Sequence, residues 1–128
     1  PSENLNKFAS EKIIITGFVE DVRPYFASAR CLAAPIQAGA GIKVKILEAM
    51  AMGVPVLTNS IGIEGIDARD GYEYLHCETP EEYEKTIRSI IKGDVDSEKI
   101  AGNALDMINS NYDMTRSFLT YSQEVYAL

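Results

Sequence analysis

Two glycines, two lysines and one glutamate form the group of residues best suited to chemistry in this chain: Gly39, Gly41, Lys43, Lys45 and Glu48. The sequence predicts that a glycine loop ends here and a helix begins, with both lysines in the first turn. A cation is disfavoured there by up to roughly 1 kcal/mol, because the N-terminus of a helix is positive. A phosphate held by the loop N–H groups would compensate this charge. The alternative is a surface ion pair between Lys45 and Glu48, worth about 0.2–0.5 kcal/mol.

The helix that carries Glu48 is apolar on nearly all sides, so it is predicted to be largely buried. A buried carboxylate needs hydrogen-bond donors, and a lysine on the amino-terminal side of a glutamate is the less favourable orientation for a helical pair. The residues alone leave two interpretations equally open: an anionic ligand that bears hydroxyl groups, or a plain ion pair. Gly53 ends the helix, and the apolar run Val54–Asn59 predicts a buried strand.

The remaining patterns predict strands and helices in alternation. Besides the helix after Gly41 and the strand Val54–Asn59, the predicted elements are a short helix within Pro1–Ser10, strands Lys12–Thr16, Arg30–Ile36 and Glu73–Cys77, and helices Asp21–Ala29, Pro80–Lys92, Ser97–Ser110 and one ending at Tyr126. Such alternation indicates a parallel sheet, in which the loops at the carboxyl ends of the strands gather at one edge. Gly17–Val19, Gln37–Gly41 and Asn59–Gly65 are therefore predicted neighbours.

Three stretches of the sequence resemble a known family. Residues Ala40–Thr58, AGIKVKILEAMAMGVPVLT, are similar to the nucleotide-sugar-binding signature of the group 1, or family 4, retaining glycosyltransferases of GT-B fold. Thr16–Val22 resembles the G-F-V-x-D turn of that family, and Cys31–Pro35 resembles the strand before its glycine loop. The resemblance implies an α/β fold: a Rossmann-like parallel sheet with flanking helices, forming part of the C-terminal half of a GT-B enzyme and truncated at its N-terminus. Residues 1–128 are then one partial nucleotide-sugar-binding domain.

The resemblance implies a nucleoside diphosphate sugar as the substrate, with no separate cofactor. Glu48 is expected to accept hydrogen bonds from ribose hydroxyls, because an ionised carboxylate offers only acceptors. The backbone N–H groups of Gly41, Ile42 and Lys43 are expected at the diphosphate, where negative charge builds as the glycosidic bond breaks. Lys45 is the candidate cation beside it.

Two other segments complete the expected donor site. Phe18 and Val19 are expected to border the base. The glycine-bearing loop that contains Asn59, Gly62 and Glu64 is expected to face the donor sugar, as the equivalent loop does in the family. A simple surface turn is the alternative interpretation of this loop.

The chain departs from the family pattern at Ala40, which replaces a family glutamate eight residues before Glu48. The contact of that glutamate with the donor sugar is therefore in question. No catalytic residue and no metal site is predicted, and the donor phosphate itself can act as the base in a retaining enzyme of this type. The resemblance also implies a longer enzyme, whose acceptor-binding N-terminal domain and diphosphate-neutralising Arg and Lys precede Pro1.

Composition limits the class of protein. A net charge of −7 on 128 residues argues against nucleic acid as a partner. Cys31 and Cys77 show no metal or disulfide pattern, which favours a reduced, cytoplasmic setting. Within the cytoplasm, the longer enzyme could bring the chain to the inner membrane surface. No transmembrane segment or signal peptide is predicted. His76, the single histidine, is expected to have no serine, cysteine or carboxylate partner and is interpreted as a structural strand residue.

The predicted function is transfer of a sugar from a nucleoside diphosphate to a glycan or lipid-linked acceptor. A non-catalytic nucleotide-sugar-binding module, a GT-B-type epimerase and an α/β interaction domain remain as alternatives. A dinucleotide-binding module is disfavoured because the glycines lack the G-x-G-x-x-G spacing. A truncated parallel sheet has an open edge, which predicts a dimer through that edge.

Overall fold

The computed structural model of the chain describes Asp21 and residues 23–111. The predicted helix within Pro1–Ser10, the strand Lys12–Thr16 and the last helix lie outside the described residues. The helices are α1 (Arg23–Ser28), α2 (Val44–Ala51), α3 (Ser60–Ile63), α4 (Pro80–Lys92) and α5 (Ser97–Ser110), and the strands are β1 (Leu32–Ala34), β2 (Val56–Thr58) and β3 (Leu75–His76).

The described strands form a parallel sheet in the order β1-β2-β3, which confirms the predicted fold class. Leu32 pairs with Val56 and Leu57 pairs with Leu75. All three residues of β2 are buried, because this strand has a neighbour on each side and helices over its faces. The strands are shorter than predicted, since regular pairing ends where Pro35 and the polar loops begin.

Helix α2 lies in the main core, as its all-round apolar sequence predicts. The five consecutive residues Ile46–Met50 are buried. The four apolar residues among them pack with Val56 of the sheet and with Ala104 and Ile108 of α5, so α2 is covered on one side by β2 and on another by α5. Consecutive burial of this kind holds α2 in place, and with it the glycine loop at its N-terminus.

Helix α4 begins and ends where the local sequence predicts. The Thr79 side chain accepts a hydrogen bond from the Glu82 N–H at 3.2 Å, and Pro80 occupies the first helical position. Gly93 ends the helix with φ of 82°, in the left-handed region that favours glycine. In the same way, the Asp96 carboxylate accepts from the Lys99 N–H and starts α5.

A second, smaller core lies beside β3 and α4. It contains Leu57, Cys77, Tyr83 and Ile90. Both described cysteines are free thiols, and burial raises the pKa of Cys77. The buried Tyr83 hydroxyl has no hydrogen-bond partner among the described residues, and its burial raises the pKa of Tyr83 to about 12. Within the described part of the chain, no helix is both long and apolar enough to cross a bilayer.

Candidate functional site

The glycine loop before α2 is closed by its own lysine. Gly39 and Gly41 have φ of 115° and 86°, in the left-handed region where a side chain would be strained. The Lys43 ammonium donates to the Gly39 carbonyl oxygen at 3.1 Å and to the Gly41 carbonyl oxygen at 2.6 Å. Lys43 thus satisfies carbonyl groups of the loop, whereas the Gly41 amide finds its acceptor in another part of the chain.

That acceptor is Glu64, from the second glycine-bearing segment. The Gly41 N–H donates to Glu64 Oε1 at 2.7 Å across 23 residues of sequence. The two segments also meet at the next pair of residues, because a Cβ added to Gly65 would lie 2.9 Å from Ile42 Cγ1. The topology therefore brings Gln37–Gly41 and Asn59–Gly65 together at the carboxyl edge of the sheet, as predicted. In this contact, a carboxylate occupies the position where a ligand phosphate oxygen was predicted.

Helix α2 starts later than predicted. Lys43 is its N-cap, with an extended backbone (φ −92°, ψ 110°), so only Lys45 lies in the first turn; the prediction that placed both lysines there was wrong. The reason is that Lys43 bonds back to the loop instead of continuing the helix. No side-chain cap accepts from the first amides within the described chain, and the first turn contains no acid. The positive end of α2 is thus suited to an anion.

Glu48 lies in the middle of α2 and is 6% exposed. Its neighbours Leu47 and Ala49 are also buried, whereas Lys45 one turn earlier is exposed. Burial of a carboxylate is unfavourable unless donors reach it. Glu48 therefore occupies a position where its ionised form needs specific hydrogen-bond donors, whether from the protein or from a ligand.

The segment after β2 is a one-turn helix, α3, and not the open loop that the sequence predicted. Asn59 is the reason, because its side chain makes two hydrogen bonds: Oδ1 accepts from the Gly62 N–H at 2.9 Å and Nδ2 donates to the Ile36 carbonyl at 2.7 Å. Gly62 is packed so closely that an added Cβ would lie 1.9 Å from Thr58 Oγ1. Asn59 and Gly62 thus form the frame of the turn, and Glu64 is the exposed residue that reaches the glycine loop.

A chain of polar side chains that sequence reasoning missed lies on the other side of α3. The Tyr74 hydroxyl is 2.7 Å from His76 Nδ1, and His76 Nε2 is 2.6 Å from Glu78 Oε2. The Ser60 N–H and hydroxyl both donate to the same Glu78 oxygen, at 2.9 and 2.8 Å. Hydrogen bonds from the Ser60 hydroxyl and amide lower the pKa of Glu78. The Asp70 carboxylate accepts from the His76 N–H at 2.9 Å, at the last residue of β3.

The interpretation that His76 has no carboxylate partner nearby was wrong. Its partner, Glu78, is only two residues further along the chain. The sequence places Tyr74, His76 and Glu78 at intervals of two residues. Side chains two residues apart in a strand point to the same face. This alternation was the available signal. Phe18 and Val19, the remaining predicted site residues, lie outside the described residues.

The geometry defines an α/β protein with a glycine loop at the carboxyl edge of a parallel sheet, in which the Gly41 amide donates to the Glu64 carboxylate. The family model described as glycosyl transferases group 1 matches residues 1–93, which include the glycine loop, α2, α3 and β3. This chain therefore belongs to the group 1 glycosyl transferases.

A curated relative, described as an uncharacterized 44.6 kDa protein in the cps region of Klebsiella pneumoniae, is 32% identical to this chain over 90 residues. The matched part is 70% of this chain and 23% of the relative. The chain thus spans about a quarter of the length of that relative.

Proposed function

We propose that this chain is the donor-binding part of a glycosyltransferase, which moves a sugar from a nucleoside diphosphate to a glycan or lipid-linked acceptor. The observation that carries the proposal is the hydrogen bond from the Gly41 N–H to a carboxylate oxygen at 2.7 Å, beside the acid-free N-terminus of α2. The Glu64 carboxylate stands in for a phosphate oxygen of the donor. Membership of the group 1 glycosyl transferases supports the same reaction class.

The diphosphate takes the place of Glu64 at the Gly41 amide. The amides of Ile42 and Lys43 lie next in the chain and contribute further donors, and the exposed Lys45 adds positive charge in the first turn of α2. These groups stabilise the negative charge that develops on the diphosphate when the glycosidic bond breaks. The displaced Glu64 is then free to accept hydrogen bonds from hydroxyls of the donor sugar.

Glu48 binds the ribose. It follows Val44 by four residues, about 6 Å along the helix axis at a rise of 1.5 Å per residue. A ligand whose phosphates occupy the N-terminus of α2 places its next group further along this helix. Because a carboxylate accepts hydrogen bonds only, the vicinal hydroxyls of a ribose are suitable donors. Phe18 and Val19 are proposed to border the base.

The longer enzyme supplies the acceptor-binding domain. The two free cysteines favour a location in the reducing cytoplasm. A non-catalytic nucleotide-sugar-binding module or an epimerase with the same donor pocket is the second candidate, and it is favoured by Ala40 in place of the family glutamate. Product analysis after incubation with a nucleotide sugar separates these candidates: release of nucleoside diphosphate indicates transfer or hydrolysis, a changed sugar indicates epimerisation, and intact donor indicates binding alone.

Calorimetric titration of the intact protein tests the donor site. The probes are uridine, guanosine, adenosine and cytidine diphosphates, with inorganic pyrophosphate as a probe that lacks ribose. We expect Glu48→Gln to weaken binding of the preferred nucleoside diphosphate by about tenfold, as expected for loss of roughly 1.4 kcal/mol. Pyrophosphate binding should not change.

Glu98→Gln, which neutralises an acid in the first turn of α5, is the matched control and should leave both affinities unchanged. If Glu48→Gln lowers the melting temperature sharply and leaves nucleoside diphosphate affinity intact, Glu48 has a structural role. If no nucleoside diphosphate binds to the wild-type protein, the proposed donor site is wrong.

A further inference from the structure

One carboxylate oxygen of Glu78 makes three polar contacts at the start of α3. Oε2 accepts from the Ser60 N–H at 2.9 Å and from the Ser60 hydroxyl at 2.8 Å, and it lies 2.6 Å from His76 Nε2. The Glu78 side chain is 48% exposed, yet its carboxylate is held by three groups from two different elements. An exposed carboxylate with one contact is easily moved, whereas three converging donors define a single position.

His76 is itself fixed by the residues around it. A carboxylate only accepts hydrogen bonds, so Nε2 of His76 carries the proton in the contact with Glu78. The other ring nitrogen, Nδ1, is within hydrogen-bond distance of the Tyr74 hydroxyl, at 2.7 Å. Tyr74 is 5% exposed, and its ring meets the His76 ring edge to face. The buried tyrosine thus orients the histidine, and the histidine orients Glu78.

Helix α3 is held at three points by three different parts of the sheet edge. Ser60 is bound to Glu78 beyond the end of β3, and the Asn59 amide is bound to the Ile36 carbonyl beyond β1. At the other end of the turn, Glu64 is bound to the Gly41 amide. Loss of the first anchor leaves the hydrogen bonds of Asn59 and Glu64 in place, so Glu64 still competes for the Gly41 amide, but the start of the turn is no longer fixed.

We propose that Glu78, oriented by His76, is a positioning residue that places the Asn59–Glu64 turn against the donor sugar. The inference rests on the proposed function. Glu78 does not touch the ligand in this arrangement, and it acts through Ser60. Its contribution appears in the part of the binding energy that comes from the sugar, while binding of the nucleoside diphosphate depends on the glycine loop and α2.

The test compares two ligands of the intact protein by calorimetry. The first is the preferred nucleoside diphosphate of the four named above. The second is its conjugate with glucose, galactose, mannose or N-acetylglucosamine, whichever binds most tightly. We expect Glu78→Ala to weaken binding of the sugar conjugate by about tenfold, the equivalent of roughly 1.4 kcal/mol, with nucleoside diphosphate affinity within about twofold of the wild type.

Two variants of His76 sharpen the test. His76→Val keeps a residue suited to a strand and removes the donor to Glu78, so it should reproduce the selective loss. His76→Gln keeps an N–H donor near the position of Nε2, so it should retain most of the affinity for the sugar conjugate that His76→Val loses. Glu81→Ala, which removes an exposed acid from the first turn of α4, is the matched control and should change neither affinity.

The outcomes separate this inference from the proposed function. Selective loss for the sugar conjugate, with rescue by glutamine, supports the positioning role. Equal loss for both ligands together with a lower melting temperature identifies a purely structural network and overturns it, as does unchanged affinity in Glu78→Ala. Absence of nucleoside diphosphate binding in the wild-type protein overturns the donor site itself, and the inference with it.

Discussion

The glycine loop before α2 and the start of α4 satisfy their backbone amides in opposite ways. At α4, a threonine N-cap is followed by a proline and two acids in the first turn, so all the groups that stabilise this helix start are close to it in sequence. Before α2, Lys43 occupies the N-cap and bonds back to the loop, and the amide of Gly41, in that loop, donates to a carboxylate 23 residues away. The groups that complete the start of α4 are local, whereas the loop before α2 is completed by an exposed side chain, Glu64, which a ligand phosphate replaces under the proposed function.

Under the proposed function, this difference indicates where a ligand binds. Where residues close in sequence already accept hydrogen bonds from the first amides of a helix, those amides are not available to a ligand. A loop amide that is bonded to a distant and exposed side chain can exchange that side chain for a ligand at low cost, because the amide is bonded before and after the exchange. Substitutions at the two helix starts, and in the turn that delivers Glu64, should therefore separate stability from affinity.

The largest effect is expected from Gly62→Ala in α3. An added Cβ would lie 1.9 Å from Thr58 Oγ1 and 3.2 Å from Ile36 Cγ1, so the turn must shift. We expect a loss of about 2–3 kcal/mol in the free energy of unfolding, measured by urea denaturation.

Gly102→Ala in α5 is the matched control for Gly62→Ala. This helical glycine has open space around its Cβ position among the described residues. Alanine there should stabilise the protein by about 0.4–1 kcal/mol, because it restricts the unfolded chain. Equal effects of the two substitutions would contradict the close packing of α3.

Thr79→Ala tests the locally capped helix start. Loss of the hydrogen bond from the Glu82 N–H to the Thr79 hydroxyl should reduce the free energy of unfolding by about 1 kcal/mol. Nucleoside diphosphate affinity should be unchanged, and Thr79→Ser should restore stability. A change in affinity without a change in stability would remove the distinction between the two helix starts.

Glu64→Ala tests whether a ligand can replace Glu64 as the acceptor of the Gly41 amide. Removal of the carboxylate frees the Gly41 amide, so a diphosphate no longer competes with Glu64. We expect nucleoside diphosphate affinity to rise about fivefold, the equivalent of roughly 1 kcal/mol, and the additional affinity gained from the sugar to fall. Calorimetry with both ligands gives the two quantities. Lower affinity for the bare nucleoside diphosphate would show that Glu64 does not compete for the site.

Tyr83→Phe in α4 gives the smallest effect at neutral pH. Removing a buried hydroxyl that has no partner among the described residues should raise the free energy of unfolding by about 1 kcal/mol or less.

The Tyr83→Phe difference should also depend on pH. Burial, followed by nearby acidic groups, raises the pKa of Tyr83 to about 12, so between pH 10 and 12 the folded protein keeps a proton that the unfolded chain releases. The wild type therefore loses stability as pH rises through this window, and phenylalanine does not. The advantage of the variant should be constant below about pH 9 and grow above pH 10. A difference that stays flat to pH 12 would contradict burial of the hydroxyl.

The prediction of α4 and α5 succeeded because their boundaries are encoded locally. Thr79, Gly93 and the apolar stripe of each helix act within a few residues, which a sequence pattern captures. The parallel sheet and the convergence of the two glycine-bearing segments were also predictable, since the topology of alternating strands and helices allows few arrangements. The burial of α2 followed from its apolar residues.

The sequence by itself determined which segments form the candidate site and which residue types they offer. Only the tertiary structure decided how those groups pair: Glu64 with Gly41, Asn59 with Ile36, and Glu78 with Ser60. Hydrogen bonds between residues about 20 positions apart leave no periodic signal in the sequence, because their geometry depends on the packing of the whole sheet edge. For the same reason, only the tertiary structure shows that α3 is held against Ile36 and Glu78.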